Sequence, residues 1–254
     1  MSSLIQKYNV PCPRYTSYPT VPFWKNDPMS DNDWTRSIGR NLGQFKQNQT
    51  SIYIHLPYCE SMCTFCGCHK RITKNHTVEK PYIDALTKEW DLYHTQFDLQ
   101  INEIHLGGGT PTFFQPSELR RLIKHLLAGQ SIDPKKANFS FEAHPNHTSE
   151  AHLETLFELG FKRLSLGIQD YDSTVQKAIN RIQSFEQVKF IHEKAKEIGY
   201  TSISHDLVYG LPKQTLSGFT ESIELTIQLK PERISLYSYA HVPWIKGNGQ
   251  RGFN

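Results

Sequence analysis

Apolar and polar positions follow two rhythms along this chain. Short β-type runs fall at 51–57, 101–107, 138–145, 163–169, 202–209 and 233–241. Between them lie segments with helical spacing. Leu119, Leu122, Ile123, Leu126 and Leu127 keep the i, i+3, i+4, i+7 pattern of one helix face. Leu153, Leu156 and Phe157 run up to Gly160, a C-terminal stop. Ser184 and Gln187 form a capping-box pair ahead of Val188, Ile191 and Ala195, and Gly199 closes that helix. Strand, helix, strand in repetition predicts parallel strands joined by right-handed crossovers. Six such units predict an α/β fold, a partial (β/α)6 barrel of parallel strands over residues 51–244. Residues 1–50 fall outside the rhythm as an N-terminal arm and lead-in. Pro11, Pro13, Pro19, Pro22 and Pro28 predict that this arm is extended rather than helical.

Strand parity adds a cavity to this picture. Parallel strands usually read apolar on both faces. Here Ser140 and Glu142 share one face of the third strand, Ser165, Gly167 and Gln169 one face of the fourth, and Ser202, Ser204 and Asp206 one face of the fifth. The opposite faces are mainly apolar, as at Leu164, Leu166 and Ile168. A barrel interior lined by small and polar residues is a site rather than a packed core, and its functional groups belong at the C-terminal strand ends.

Composition narrows the class. The 254 residues are 37% hydrophobic and long enough to bury a substantial core. The opening thirty residues carry no secretory h-region, and no run approaches the roughly 20 apolar residues of a membrane span, so a cytoplasmic protein is expected. A formal net charge of +3 is no nucleic-acid footprint.

Cysteine usage is uneven. Four of the five cysteines fall within ten residues, at 59, 63, 66 and 68, directly after the first strand, and only Cys12 lies elsewhere. They sit too close together to staple a fold, which leaves metal or redox chemistry. Iron–sulfur clusters are held by cysteine thiolates. The Cys59-x3-Cys63-x2-Cys66 spacing can wrap three corners of one cluster, whereas Cys68 stands a single glycine beyond Cys66. Three protein ligands leave one iron open to a small molecule, as catalytic zinc sites keep a vacant position. A structural zinc held by three cysteines and His69 or His55 satisfies the same loop, and so do unattached thiols. The "GGGTPT" turn at 107–112 lets backbone approach a ligand closely. It lacks the lysine of a phosphate loop and the spacing of a dinucleotide fingerprint.

The x3, x2 spacing with Phe65 just before the third cysteine resembles the signature of the radical S-adenosylmethionine enzymes. The continuation "CGCHK", with "KYNVPCPRYTSYPT" (7–20), "GGGTPT", "SLGIQD" (165–170), "HDLVYGLPKQT" (205–215) and "YAHVPW" (239–244), resembles the oxygen-independent coproporphyrinogen III oxidases within that superfamily. The resemblance covers essentially the whole chain. It implies a 4Fe-4S cluster on Cys59, Cys63 and Cys66, with Cys68 outside the ligand set and its role open. It implies that S-adenosylmethionine, in a site with room for two molecules, meets Gly108, Gly109, Thr110, Glu142, Gln169, Arg181 and Asp206, joined by Tyr53, Phe65 and Ala240. In such enzymes the cluster cleaves S-adenosylmethionine to a 5′-deoxyadenosyl radical. Two propionates of coproporphyrinogen III are then decarboxylated to vinyls, giving protoporphyrinogen IX in haem synthesis. An electron donor such as a flavodoxin or ferredoxin and a monomeric state come with the same resemblance. Arg14, Lys70 and Arg71 are candidates for the substrate carboxylates. The rival within the superfamily is a haem-binding, chaperone-like relative without porphyrinogen turnover.

The chain departs from the family in three places. Cys12 stands where glycine is usual, and His144 in "EAHPN" replaces an acidic residue. Family members continue past the sixth strand into a largely helical domain. Residues 245–254 are therefore expected to begin a linker to a domain missing here, and the chain is expected to turn over little substrate.

Overall fold

The structure is a computed structural model that describes residues 3–9, 23–24, 28–44, 49–132 and 137–240. The chain divides into two units, 1–46 and 47–254. The first holds helices α1 (Leu4–Tyr8) and α2 (Asp31–Gln44). Extended chain was expected from the prolines, but α2 begins beyond Pro28, with Asp31 and Asp33 in the first turn where the helix dipole favours negative charge. Pro11, Pro13, Pro19 and Pro22 lie outside the described residues.

The second unit is built on six parallel strands in the order β1 (Gln49–Leu56), β4 (Gln100–Gly108), β5 (Asn138–Ala143), β6 (Phe161–Gln169), β7 (Ser202–Tyr209) and β8 (Arg233–Ser238). This is the expected partial barrel. Its strand bounds lie within a few residues of those read from hydrophobic runs. A two-stranded pair, β2 (Tyr58–Cys59) with β3 (Arg71–Ile72), was not foreseen and closes the base of the cysteine loop.

The apolar faces of β1 and β4 to β7 pack under helices, whereas Ile234 and Leu236 of β8 are exposed. Leu106, Phe141, Leu166 and Ile203 are fully buried under the helices; each such side chain contributes about 1.5–3 kcal/mol relative to exposure. The covering helices are α3 (Glu79–His94), α4 (Pro116–Leu127), α5 (Glu150–Glu158), α6 (Ser173–Ala178), α7 (Phe185–Ile198) and α8 (Leu216–Leu229). On α4, Leu119, Leu122, Ile123 and Leu126 are buried, and Leu127 only partly. Helix α5 ends as expected, with Gly160 at φ +97° beyond it. Its start carries a capping box the sequence reading missed, because histidine takes the usual Glu/Gln place: Ser149 N donates to His152 Nδ1. For α7 the expected box is half made. Ser184 Oγ accepts from Gln187 N at 3.1 Å, while the Gln187 amide turns away to Pro145 O. Two helices rather than one link β6 to β7, since Asp172 caps the short α6.

Candidate functional site

The C-terminal ends of the strands open onto a cavity of about 370 Å³. Cys59, Cys63, Cys66 and Cys68 line one side. Glu142 from β5, Gln169 from β6 and Asp206 from β7 line the other. Gly108, Gly109, Thr110, Phe65 and Arg181, also expected, lie in the lining. Tyr53 and Ala240 do not join it. Tyr53 is 57% exposed rather than buried in the barrel. Its ring stacks on His105, and its hydroxyl meets His55 Nδ1 at 3.1 Å.

The cysteine loop is tied from three directions. At its base, Arg71 N donates to Pro57 O and Thr73 N to Cys59 O. Its middle docks on the turn after α6, where Thr64 N donates to Ile179 O at 2.9 Å and Asn180 Nδ2 to Met62 O at 2.8 Å. Its end is clamped by Lys70, whose ammonium donates to Cys66 O and Cys68 O. Lys70, expected to meet substrate, thus spends two donors on the loop. Arg71 is exposed and outside the cavity lining, and Arg14 and Cys12 lie outside the described residues.

Sulfur chemistry in the loop is graded by its neighbours. Burial pushes the Cys59 thiol up, offset in part by a hydrogen bond from Thr110. The Cys68 hydrogen bond pulls Cys66 down to about 6, and the same contact pushes Cys68 up. Thr110 Oγ1 donates to Cys59 Sγ at 3.3 Å, and Arg181 Nη1 to Cys63 Sγ at 3.6 Å.

Two glycines bring backbone to the cavity wall. A Cβ at Gly109 would stand 2.6 Å from Pro57 O, so no side chain fits. Gly108 has φ +113°, the left-handed region, and a Cβ there would strike the His55 ring at 2.7 Å. Gly108 N donates to Glu142 Oε2 at 3.3 Å, and His105 Nε2 stands 3.5 Å from Glu142 Oε1. Burial raises the Asp206 carboxyl, while hydrogen bonds from serines, including Ser165 at 2.7 Å, hold it down. Gln169 takes φ +73° at a register shift between β6 and β7, which turns the chain at the cavity edge.

Among the lining residues that escaped the sequence reading are Glu60, His147 and, as a site residue, His144. His147 Nδ1 lies 3.4 Å from Glu60 Oε1, and the His144 ring packs edge-on to it at 4.7 Å. Burial first, then the charge of Arg181, holds His144 well below the usual imidazole range. The unusual "EAHPN" run was the available signal; its link to Glu60 is a contact no local pattern shows.

The zinc alternative loses one of its two candidate histidines. His55 spends its ring nitrogens on Tyr53 Oη and His69 O. Among the described residues no three His, Cys, Asp or Glu converge as a single ion requires.

A family model described as the Radical SAM superfamily matches residues 53–226. The chain belongs to that superfamily. Radical SAM membership implies a 4Fe-4S cluster and S-adenosylmethionine. The donor set fits a cluster: the cysteines share one cavity wall, and two of them accept hydrogen bonds from Thr110 and Arg181, as thiolates do. The chain is 40% identical over 245 residues to the oxygen-independent coproporphyrinogen III oxidase of Helicobacter pylori, covering 94% of this chain and 53% of the relative. With the Pseudomonas aeruginosa enzyme of the same name it is 38% identical over 246 residues, 95% of this chain and 53% of that one. Among solved structures, coproporphyrinogen III oxidase from Escherichia coli, described as a radical SAM enzyme, is similar at TM-score 0.84 and 35% identity, over 95% of this chain and 53% of that one. A radical S-adenosylmethionine methyltransferase from Kitasatospora setae, 12% identical at TM-score 0.51 over 74% of this chain and 35% of that one, shares the fold alone. The chain spans about half the length of the curated relatives it matches. Among the described residues no helix is long and apolar enough to cross a membrane.

Proposed function

We propose that this radical SAM chain serves oxygen-independent coproporphyrinogen III oxidation in the cytoplasm, converting two propionate side chains to vinyl groups to give protoporphyrinogen IX. The observation that carries this reading is the single cavity in which three cysteines face Glu142, Gln169, Arg181 and Asp206. The agreement with coproporphyrinogen III oxidases over almost the whole chain supports it.

In this reading Cys59, Cys63 and Cys66 hold the cluster, and Cys68 stays a thiol beside Cys66. When bound, the cluster and S-adenosylmethionine supply the one-electron chemistry that takes hydrogen from the propionate. The chain's residues do the rest. Gly108 and Gly109 offer backbone without side chains in the way. Glu142 and Asp206 provide carboxylates for an ammonium and a ribose, and Arg181 a guanidinium for a carboxylate. Gln169 and Phe65 complete the cofactor wall, and Tyr53 and Ala240, outside the cavity lining, meet S-adenosylmethionine from its edge in this reading. The site takes two S-adenosylmethionine molecules, and a flavodoxin or ferredoxin supplies electrons to a monomeric enzyme.

Anaerobic reconstitution tests this. About four irons per chain are expected, with S-adenosylmethionine converted to methionine and 5′-deoxyadenosine under a strong reductant. Cys59→Ala, Cys63→Ala and Cys66→Ala should lose the cluster, and Cys68→Ser should keep it. What coproporphyrinogen III this chain turns over should yield protoporphyrinogen IX and carbon dioxide, in the small amount expected from its sequence. A complete cluster that never yields 5′-deoxyadenosine would sink the proposal.

A further inference from the structure

Two of the cavity's cysteines receive hydrogen bonds from residues far away in sequence. Thr110 is 51 positions from Cys59, and Arg181 is 118 from Cys63. Both donors are fixed by contacts of their own. Thr110 is 7% exposed, and its backbone N donates to Tyr58 O at 3.0 Å. Arg181 places its second terminal nitrogen, Nη2, on Gly167 O. A hydroxyl has one hydrogen, and that of Thr110 is directed at Cys59 Sγ, which leaves only its oxygen lone pairs for any other ligand.

Such contacts have a defined consequence for a cluster. A thiolate draws a stronger hydrogen bond than a thiol, because the acceptor is charged. Hydrogen bonds to cluster sulfurs are among the determinants of iron–sulfur potentials, and partners around the ligands tune a metal centre generally. A donor that withdraws electron density from a ligand sulfur favours the reduced cluster, which carries one more negative charge. Arg181 adds a full positive charge to the same effect.

We propose that Thr110 and Arg181 set the reduction potential of the cluster, raising it through hydrogen bonds to Cys59 and Cys63. The inference rests on the reading that these cysteines hold the cluster. It gives Thr110 a role toward sulfur that is separate from contact with S-adenosylmethionine. It also explains why the loop docks on the turn after α6: that turn leads directly into Arg181.

The test is a redox titration of the anaerobically reconstituted full chain without S-adenosylmethionine, following the electron paramagnetic resonance signal of the reduced cluster. Thr110→Val keeps the shape and removes the hydroxyl, and its midpoint should fall below that of the wild type. Thr110→Ser should titrate as the wild type does. Arg181→Gln should also fall, and the double variant should fall below either single variant. A cluster-loaded Thr110→Val with an unmoved midpoint overturns the role of Thr110, even if S-adenosylmethionine binds it more weakly. If Thr110→Val takes up no iron, Arg181→Gln decides, and an unmoved midpoint in that variant overturns the proposal. A wild-type chain that binds no cluster overturns the cluster reading and this inference together.

Discussion

Position 109 has no room for a β-carbon. The obstruction is backbone, Pro57 O at 2.6 Å and Tyr58 O at 2.9 Å, so a rotamer change cannot relieve it. Gly109 N also donates to Leu56 O, and Thr110 N to Tyr58 O, which lock the turn against the root of the cysteine loop. Gly109→Ala must push β1 and β4 apart at their C-terminal ends. The cost expected for such overpacking is about 1–3 kcal/mol. Urea denaturation should register that loss, and isothermal titration should show S-adenosylmethionine binding weakened as well, because the displaced turn carries Thr110. A variant with unchanged midpoint and affinity would mean that the turn yields more easily than its contacts imply.

At the scale of elements, β7 works on both faces. Asp206 points into the cavity, and its neighbour His205 points the other way, into the layer between sheet and helices. There His205 Nε2 meets His192 Nδ1 of α7 at 2.9 Å, with both residues almost wholly buried. Burial, then the neighbouring His192, pushes His205 down to about 3, and burial lowers His192 too. An imidazole that stays neutral in the fold but titrates near 6.5 when unfolded gives stability that is complete above pH 6.5. That stability drains as pH falls toward 3, because the unfolded chain binds the proton first. One such histidine should lose about 2 kcal/mol between pH 7.5 and pH 5. Buried His144 and His152 and half-buried His147 are shifted the same way and add to the trend. Replacing the pair together, His192→Leu with His205→Leu, should flatten the stability profile over this window in urea titrations. An equally steep profile would remove the pair as its source. The sequence showed β7 itself and its polar face, because period-two alternation survives locally. It did not show the histidine pair, since a histidine in an apolar stripe has the same pattern whether it meets a leucine or another imidazole. The β2–β3 pair and α6 were missed for a related reason: two-residue strands and a six-residue helix are too short for any period to register.

For the whole molecule, the cysteine loop joins segments distant in sequence. It is bonded to β3, to the turn at 178–181 and to the end of β4, and apolar contact of Phe65 with Val175, Ile179, Val208 and Leu211 backs it. A cluster bound by three of its cysteines should therefore stabilise more than the loop. Ligands that bind only the native state raise stability by mass action, and in a chain this size each kcal/mol lifts Tm by about 2–4 °C. Stripping iron with an oxidant and chelator should lower Tm by several degrees and open the 58–70 segment to protease. Equal melting of loaded and stripped chains would show that the loop is held by its protein contacts alone. The barrel and most of the site were legible because strand parity and cysteine spacing are local codes. Glu60 and His147 were not, because their meeting depends on how the loop after β5 is folded onto the loop after β1.

The left-handed backbone at Gln169 separates what the fold prefers from what the site requires. A non-glycine residue at φ +73° costs of order 1 kcal/mol or more, and glycine would sit there freely. A sequence optimised for thermal endurance alone would have glycine at 169. Gln169→Gly should accordingly melt no earlier than the wild type in calorimetry while holding S-adenosylmethionine less tightly. If that contact with S-adenosylmethionine is made, glutamine at this corner trades a small, permanent loss of robustness for chemistry, and a stabilising screen that ignores activity would be expected to erase it, as it would the other left-handed residues Asn180, Lys213 and Lys230.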